Sequence, residues 1–270
     1  MRPTVFIFVA LACEAKPLVQ AWHLKKLTQQ KPFAIYSNQE RVVVIAGVGK
    51  LAMAAAVAYT MCLYAETVSP ILINFGIAGH QNFPVGNLYL ADKITDCETA
   101  KNHYPQLTFA NHFQTSAVKT LTKPSSDYAG DSLFDMEAAA FYEIATKFNT
   151  NEFLHSLKIV SDNADSAIEN ISETVVVEWV GNKVDEINRL LNNLLKARDL
   201  LPKINNDLYF ELIQRVHFTE ASAVKLKGLM QRWQAVMGDS DLKWTDSGAS
   251  SGKELIAWME LQLEGNTFRL

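Results

Sequence analysis

Arg41-Val-Val-Val-Ile-Ala46, Gly47-Val-Gly49 and Lys50-Leu-Ala-Met-Ala-Ala-Ala-Val-Ala-Tyr-Thr-Met-Cys-Leu-Tyr-Ala65 follow one another without a break. The first run is apolar at consecutive positions, as a strand buried on both faces requires. The glycines make the turn, and the alanine-rich run reads as a long helix. Pro70-Ile-Leu-Ile-Asn74 is then a second buried strand. Strand, turn, helix and strand form the unit from which mostly parallel sheets are built, with helices on both faces.

The same alternation extends outward. Upstream, Val5, Ile7 and Val9 mark a first strand, and Leu18, Trp22 and Leu27 mark a helix over Pro17 to Gln29. Phe33 to Tyr36 is a strand joined to Arg41 by the polar turn Ser37-Asn38-Gln39. Downstream, Leu88 to Ile94 continues the sheet, and Asp96 to Gly130 reads as long loops with short strands. A helix is expected over Phe134 to Phe148 and a strand over Leu157 to Val160. Ile171 to Ala197 carries the stripe Val176, Val180, Val184, Ile187, Leu191 and Leu194 behind Ser172 as N-cap, an amphipathic helix. The expected fold class is a three-layer α/β/α sandwich around a twisted mixed sheet.

The chain has 270 residues, 49% of them apolar and 20% charged, which suits one large α/β domain with an extension. The boundary is placed at 198, leaving 199–270 as a helical segment. There Leu226, Leu229, Met230, Trp233 and Met237 fall at helical spacing, and Ser251-Gly-Lys-Glu254 is a capping box before Leu255, Ile256, Trp258 and Met259. A net charge of −4 without a Lys/Arg block argues against nucleic acid as a partner. Cys13, Cys62 and Cys97 are odd in number and widely spaced, which suits reduced thiols in the cytoplasm. The six histidines show no metal-ligand spacing, so no metal is expected. Glu14 and Lys16 follow the first apolar run at once, which favours a buried strand over a secretory leader. No apolar run approaches the ~20 residues that span a bilayer.

Five fragments carry the chemistry: Ala10-Leu-Ala-Cys-Glu14, Ala46-Gly47-Val-Gly49-Lys50, Asn74-Phe-Gly76-Ile77-Ala78-Gly79, Asp135-Met136-Glu137-Ala-Ala-Ala140 and Val160-Ser161-Asp162-Asn-Ala-Asp165. Each lies where an apolar run gives way to polar or glycine residues, where α/β proteins bind ligands. In order and spacing they resemble the purine nucleoside phosphorylase/uridine phosphorylase superfamily, closest to the methylthioadenosine/S-adenosylhomocysteine nucleosidases. The resemblance covers roughly residues 3 to 197, and its most specific parts are Met136-Glu137-Ala-Ala-Ala140 and Ser161-Asp162-Asn-Ala-Asp165.

Cleaving an N-glycosidic bond needs a nucleophile at the anomeric carbon and a proton for the departing base, a division suited to two carboxyl groups in different environments. Taken alone, Asp162 fits an N-cap at a strand-to-helix turn; the resemblance implies that it protonates the purine, with Ser161 holding the backbone beside it. Glu137 alone fits a carboxylate at a helix N-terminus; the resemblance implies that it accepts the ribose hydroxyls while Met136 packs on the sugar. Glu14 alone fits a surface carboxylate; the resemblance implies that it activates water. Gly76, Ile77, Ala78 and Gly79 stand for the family's substrate-touching loop, with Ile77 in place of its hydroxyl residue, and that departure puts the geometry and the usual substrate in question. Asp135 flanks the glutamate. Phe75, Tyr104, Phe113 and Phe134 fit base-stacking partners and equally core aromatics. Asp96 to Pro105 departs from the nucleosidase pattern and suits either a pocket wall or a solvated loop.

Phosphate as nucleophile would call for arginines, and none lies between Arg2 and Arg41. Water is therefore preferred, although Arg41 or another cation supplied by a partner subunit would restore phosphorolysis. Gly47-Val-Gly49-Lys-Leu-Ala52 also satisfies a dinucleotide fingerprint, but the acidic residue expected after the next strand is replaced by Asn74. The function expected is hydrolysis of a purine nucleoside without metal or organic cofactor, with nucleoside binding without turnover as the rival. The resemblance further implies a homodimer.

Overall fold

The computed structural model describes residues 3–28, 32–107, 113–124, 130–166, 171–201, 206–237 and 242–265. The chain divides into two compact units, Met1–Arg198 and Asp199–Leu270.

In the first unit, β1 (Val5–Val9) is buried along its whole length and lies parallel to both β4 (Arg41–Ile45) and β5 (Ile71–Gly79). Beyond β4, β3 (Ala34–Ser37) and β2 (Lys25–Lys26) add an antiparallel edge. On the other side of β5 the sheet curls. β10 (Leu154–Asp162) runs parallel to β5 and antiparallel to β6 (Leu88–Asp96). β6 pairs with the short β7 (Asn102–His103) and with β8 (Gln114–Thr120), and β8 pairs with β9 (Leu133–Asp135). β9 returns to β5 through Gly79 and Phe134. The pairings β5–β10–β6–β8–β9–β5 thus close a ring, from which β1, β4, β3 and β2 project. Register shifts at Val160/Asp162 and Ala91/Lys93 increase the local twist that closure needs.

Successive β1 side chains point to opposite faces. Phe6 and Phe8 join Met53 and Val57 of α2 (Lys50–Leu63) and Phe141 and Ala145 of α3 (Ala138–Ala145). Val5, Ile7 and Val9 join Leu18 of α1 (Ala12–Ala21) and Val176, Val180, Ile187, Leu191 and Leu194 of α4 (Glu173–Asp199). Ser172 caps α4 by accepting the Val175 N–H at 3.4 Å.

Several boundaries differ from expectation. α1 begins five residues before Pro17 and ends at Ala21. The Glu14 carboxylate accepts the Ala10 and Leu11 N–H groups and so permits an early start, and His23 at φ 51° closes the turn. β5 continues through Gly76 to Gly79, and Leu133–Asp135 pairs as a strand, delaying α3 to Ala138. The short strands expected among the loops of Asp96 to Gly130 are β7 and β8, while 108–112 and 125–129 lie outside the described residues.

The second unit contains α5 (Asn206–Arg215), α6 (Glu220–Met237), a 3₁₀ turn at Trp244–Ser247 and α7 (Gly252–Gly265). Leu212, Leu226, Leu255, Met259 and Leu263 form its core, with Trp233 stacked on Trp258 at 5.8 Å. A Cβ at Gly252 would lie 2.8 Å from the His217 carbonyl oxygen, so the start of α7 requires glycine. Ser251 accepts the Glu254 N–H, but Glu254 accepts from Ser250, one residue earlier than a regular capping box. α5 falls in the segment expected to be helical, although the sequence patterns singled out there lie farther along, in α6 and α7.

Candidate active site

A cavity of about 250 Å³ opens where β1, β5, β9 and β10 end. Glu14, Ile77, Ala78, Gly79, Phe134, Asp135, Met136, Glu137, Ser161 and Asp162 all line it. Gly76 does not reach the cavity. It lies behind Glu14, where a Cβ would approach Glu14 Oε1 to 2.8 Å. The glycine is there because the carboxylate packs against the strand, and not because the chain turns.

Glu14 is fully buried on the first turn of α1. Its Oε2 accepts the N–H groups of Ala10 (2.9 Å) and Leu11 (2.8 Å), and its Oε1 accepts that of Ile77 (3.0 Å). Burial pushes its pKa up to about 7, against the pull of the Leu11 and Ile77 amides and of nearby Lys158. A carboxylate so poised is well matched to take a proton at neutral pH. Ile77 has no hydroxyl, yet its backbone N–H holds the carboxylate.

Glu137 occupies the N-cap position of α3, and its Oε1 accepts the Gly49 N–H at 2.7 Å. Gly49, at φ 99°, adopts a backbone conformation that favours glycine. Burial, followed by repulsion from Asp135, raises the Glu137 pKa; Lys158 and the Gly49 amide oppose the rise. The amide that a dinucleotide fingerprint would offer to a pyrophosphate is thus taken by a carboxylate, which disfavours that reading.

Asp135 is saturated by the protein. Its Oδ2 meets Lys158 Nζ at 2.7 Å and accepts the Ala138 N–H at 2.8 Å, while its Oδ1 accepts the Thr120 hydroxyl at 2.7 Å. Lys158 is only 1% exposed. Sequence reasoning passed over it; the signal was a lysine in the apolar strand Leu157-Lys-Ile-Val160. It places a fixed positive charge among Glu14, Asp135 and Glu137.

Ser161 and Asp162 end β10, and the Ser161 hydroxyl donates to Asp162 Oδ1. Gly79 stands in register with Asp162 on one side and Phe134 on the other. Phe75 belongs to the core, and neither Tyr104 nor Phe113 is among the cavity residues. Arg41 lies over the Trp22 ring and donates to Asn188 at 2.9 Å. Among the described residues, Lys123 is the one cation lining the cavity, and no group of three or more His, Cys, Asp or Glu is arranged to hold a metal ion.

This fold is shared with solved nucleosidases at low sequence identity. An Arabidopsis thaliana 5'-methylthioadenosine nucleosidase superposes with a TM-score of 0.57 and 18% identity, over 72% of this chain and 97% of that one. The S. pneumoniae 5'-methylthioadenosine/S-adenosylhomocysteine nucleosidase, solved with a transition-state inhibitor, gives 0.56 and 19% over 70% of this chain and 99% of that one. A Helicobacter pylori futalosine hydrolase mutant gives 0.51 and 12%, again over 70% and 99%. No family model and no curated protein matches the sequence. Among the described residues, no helix is long and apolar enough to cross a membrane.

Proposed function

We propose that this chain hydrolyses the N-glycosidic bond of a purine nucleoside. The observation that carries the reading is Glu14, buried in the cavity wall, bracketed by amides and held near neutrality. Glu14 takes a proton from water as the water oxygen bonds to the anomeric carbon. The carbon–nitrogen bond breaks, its electron pair leaves with the purine, and Asp162 delivers a proton to the imidazole-ring nitrogen. Glu137, whose Oε1 also holds the Gly49 N–H, accepts the ribose hydroxyls, and Met136 packs on the sugar. Apolar Leu11, Val48 and Ile77 suit a sugar whose far end lacks a polar hydroxyl, as in methylthioadenosine-like nucleosides. Water is favoured over phosphate because the lining contains no arginine among the described residues.

The test follows free base by chromatography from methylthio-, deoxy- and unmodified purine nucleosides and from uridine, each with and without phosphate. Phosphate-independent release from purines alone is expected, falling about a hundredfold or more in Asp162→Asn while binding survives. Phosphate-dependent release would make the protein a phosphorylase, and binding without release would make it a nucleoside receptor. We also propose a homodimer, for which Leu51, 89% exposed at the start of α2, offers apolar contact surface.

A further inference from the structure

The cavity's polar side chains are unevenly distributed between acceptors and donors. Glu14, Asp135, Glu137 and Asp162 are carboxyl groups, and the Ser161 hydroxyl is already given to Asp162. Apart from Asp162, whose proton the reading above commits to the imidazole-ring nitrogen, Lys123 is the remaining side-chain donor among the described lining residues.

Its place in the sheet says which end of a nucleoside it meets. Glu14 contacts Gly76 and Ile77, deeper along β5, where the reading above puts the sugar. Gly79 at the tip of β5 is flanked by Asp162 and Phe134, which puts the base there. β8 lies beyond Phe134 in the same row, with Lys119 opposite it, and the Leu121 N–H donates to the Asp135 carbonyl at 2.8 Å. Lys123 follows two residues later and lines the same cavity, and this neighbourhood to Phe134 and Asp135 puts it with the base.

A purine shows two kinds of edge at this point. A 6-oxopurine presents two adjacent acceptors, O6 and N7, whereas adenine presents an amino donor beside N7. With Asp162 addressing the imidazole-ring nitrogen, an ammonium group is complementary to O6 and opposes an amino group. We infer that Lys123 is a specificity-determining residue that selects a 6-oxopurine nucleoside over its adenine counterpart. This inference rests on the nucleosidase reading of the same cavity. One charge-assisted hydrogen bond from an exposed lysine corresponds to about tenfold discrimination, the low end for such contacts.

The experiment compares 5'-methylthioinosine with 5'-methylthioadenosine, which share the sugar and differ in the 6-substituent and the N1 proton that goes with it. Base release and calorimetric binding are measured for wild type and Lys123→Met. The expected result is an oxo preference of about tenfold in wild type that collapses toward unity in the variant. Equal treatment of the two by wild type, a preference for adenine, or a variant that weakens both equally would overturn the inference. Oxo-selective, Lys123-dependent binding without release would sustain the inference and reject hydrolysis. Release without oxo preference would do the reverse, and no binding of either nucleoside would reject both.

Discussion

Replacing Lys158 by methionine keeps the volume of the side chain and removes its charge. In the folded chain the ammonium group sits 2.7 Å from Asp135, and both side chains are closed to solvent. A solvent-exposed pair of this geometry would be worth at most about 1 kcal/mol. Here the lost partner leaves Asp135 charged and desolvated, a situation that costs about 3–5 kcal/mol. For a unit of this size each kcal/mol lowers the melting temperature by about 2–4 °C, so Lys158→Met should melt roughly 6–20 °C below wild type. Thermal unfolding followed by circular dichroism measures the shift. Asp135→Asn in the same chain removes the stranded charge and retains an acceptor for the Ala138 N–H, so the double variant should recover part of the loss. A single variant within 2 °C of wild type, or a double variant no more stable than the single, would refute the view that Lys158 neutralises this site.

Three further predictions concern Glu14. Gly76→Ala puts a methyl group 2.8 Å from its Oε1 and must displace the carboxylate or the strand, so turnover should fall at least about tenfold, with a stability loss of about 1–3 kcal/mol; single-turnover base release at the wild-type rate would exclude the packing argument. Because its folded pKa is raised from 4.5 to about 7, base release should rise with pH through about 7 as the carboxylate ionises. The same proton makes Glu14's contribution to stability full below about pH 4.5 and lost as pH climbs through about 7, a slope that melting curves of Glu14→Ala should lack.

Much of the α/β plan was legible because buried parallel strands are apolar at consecutive positions, as in Val5–Val9 and Val42–Val44. The candidate site was legible as a set of strand ends, to the extent that the fragments around Glu14, Gly79, Glu137 and Asp162 meet at one cavity. What escaped depends on partners distant in sequence. Nothing local to Leu133–Asp135 announces a strand, since its pairing is with Val118–Thr120 and Gly79. Ring closure rests on bulges that leave no compositional mark. Lys158 was overlooked because one charge in an apolar run acquires meaning only when Asp135 is brought beside it. α5 is short, and its helical spacing rests on Leu208, Tyr209 and Leu212 alone, a weaker stripe than those of α6 and α7.

The position of Gly79 between β10 and β9 has a consequence for substrate size. Adjacent strands lie about 4.8 Å apart, so the backbones carrying Asp162 and Phe134 are set two spacings, or about 10 Å, from each other. That interval is held by ladder hydrogen bonds within a closed ring and not by a mobile loop. On the nucleosidase proposal, the two walls could not approach to grip a narrower base unless the β5 pairing broke, so the sheet itself would act as a gauge of ring width. Widening or narrowing the preference by evolution or design would therefore have to proceed through side-chain length at these two positions, with the backbone spacing left as it is.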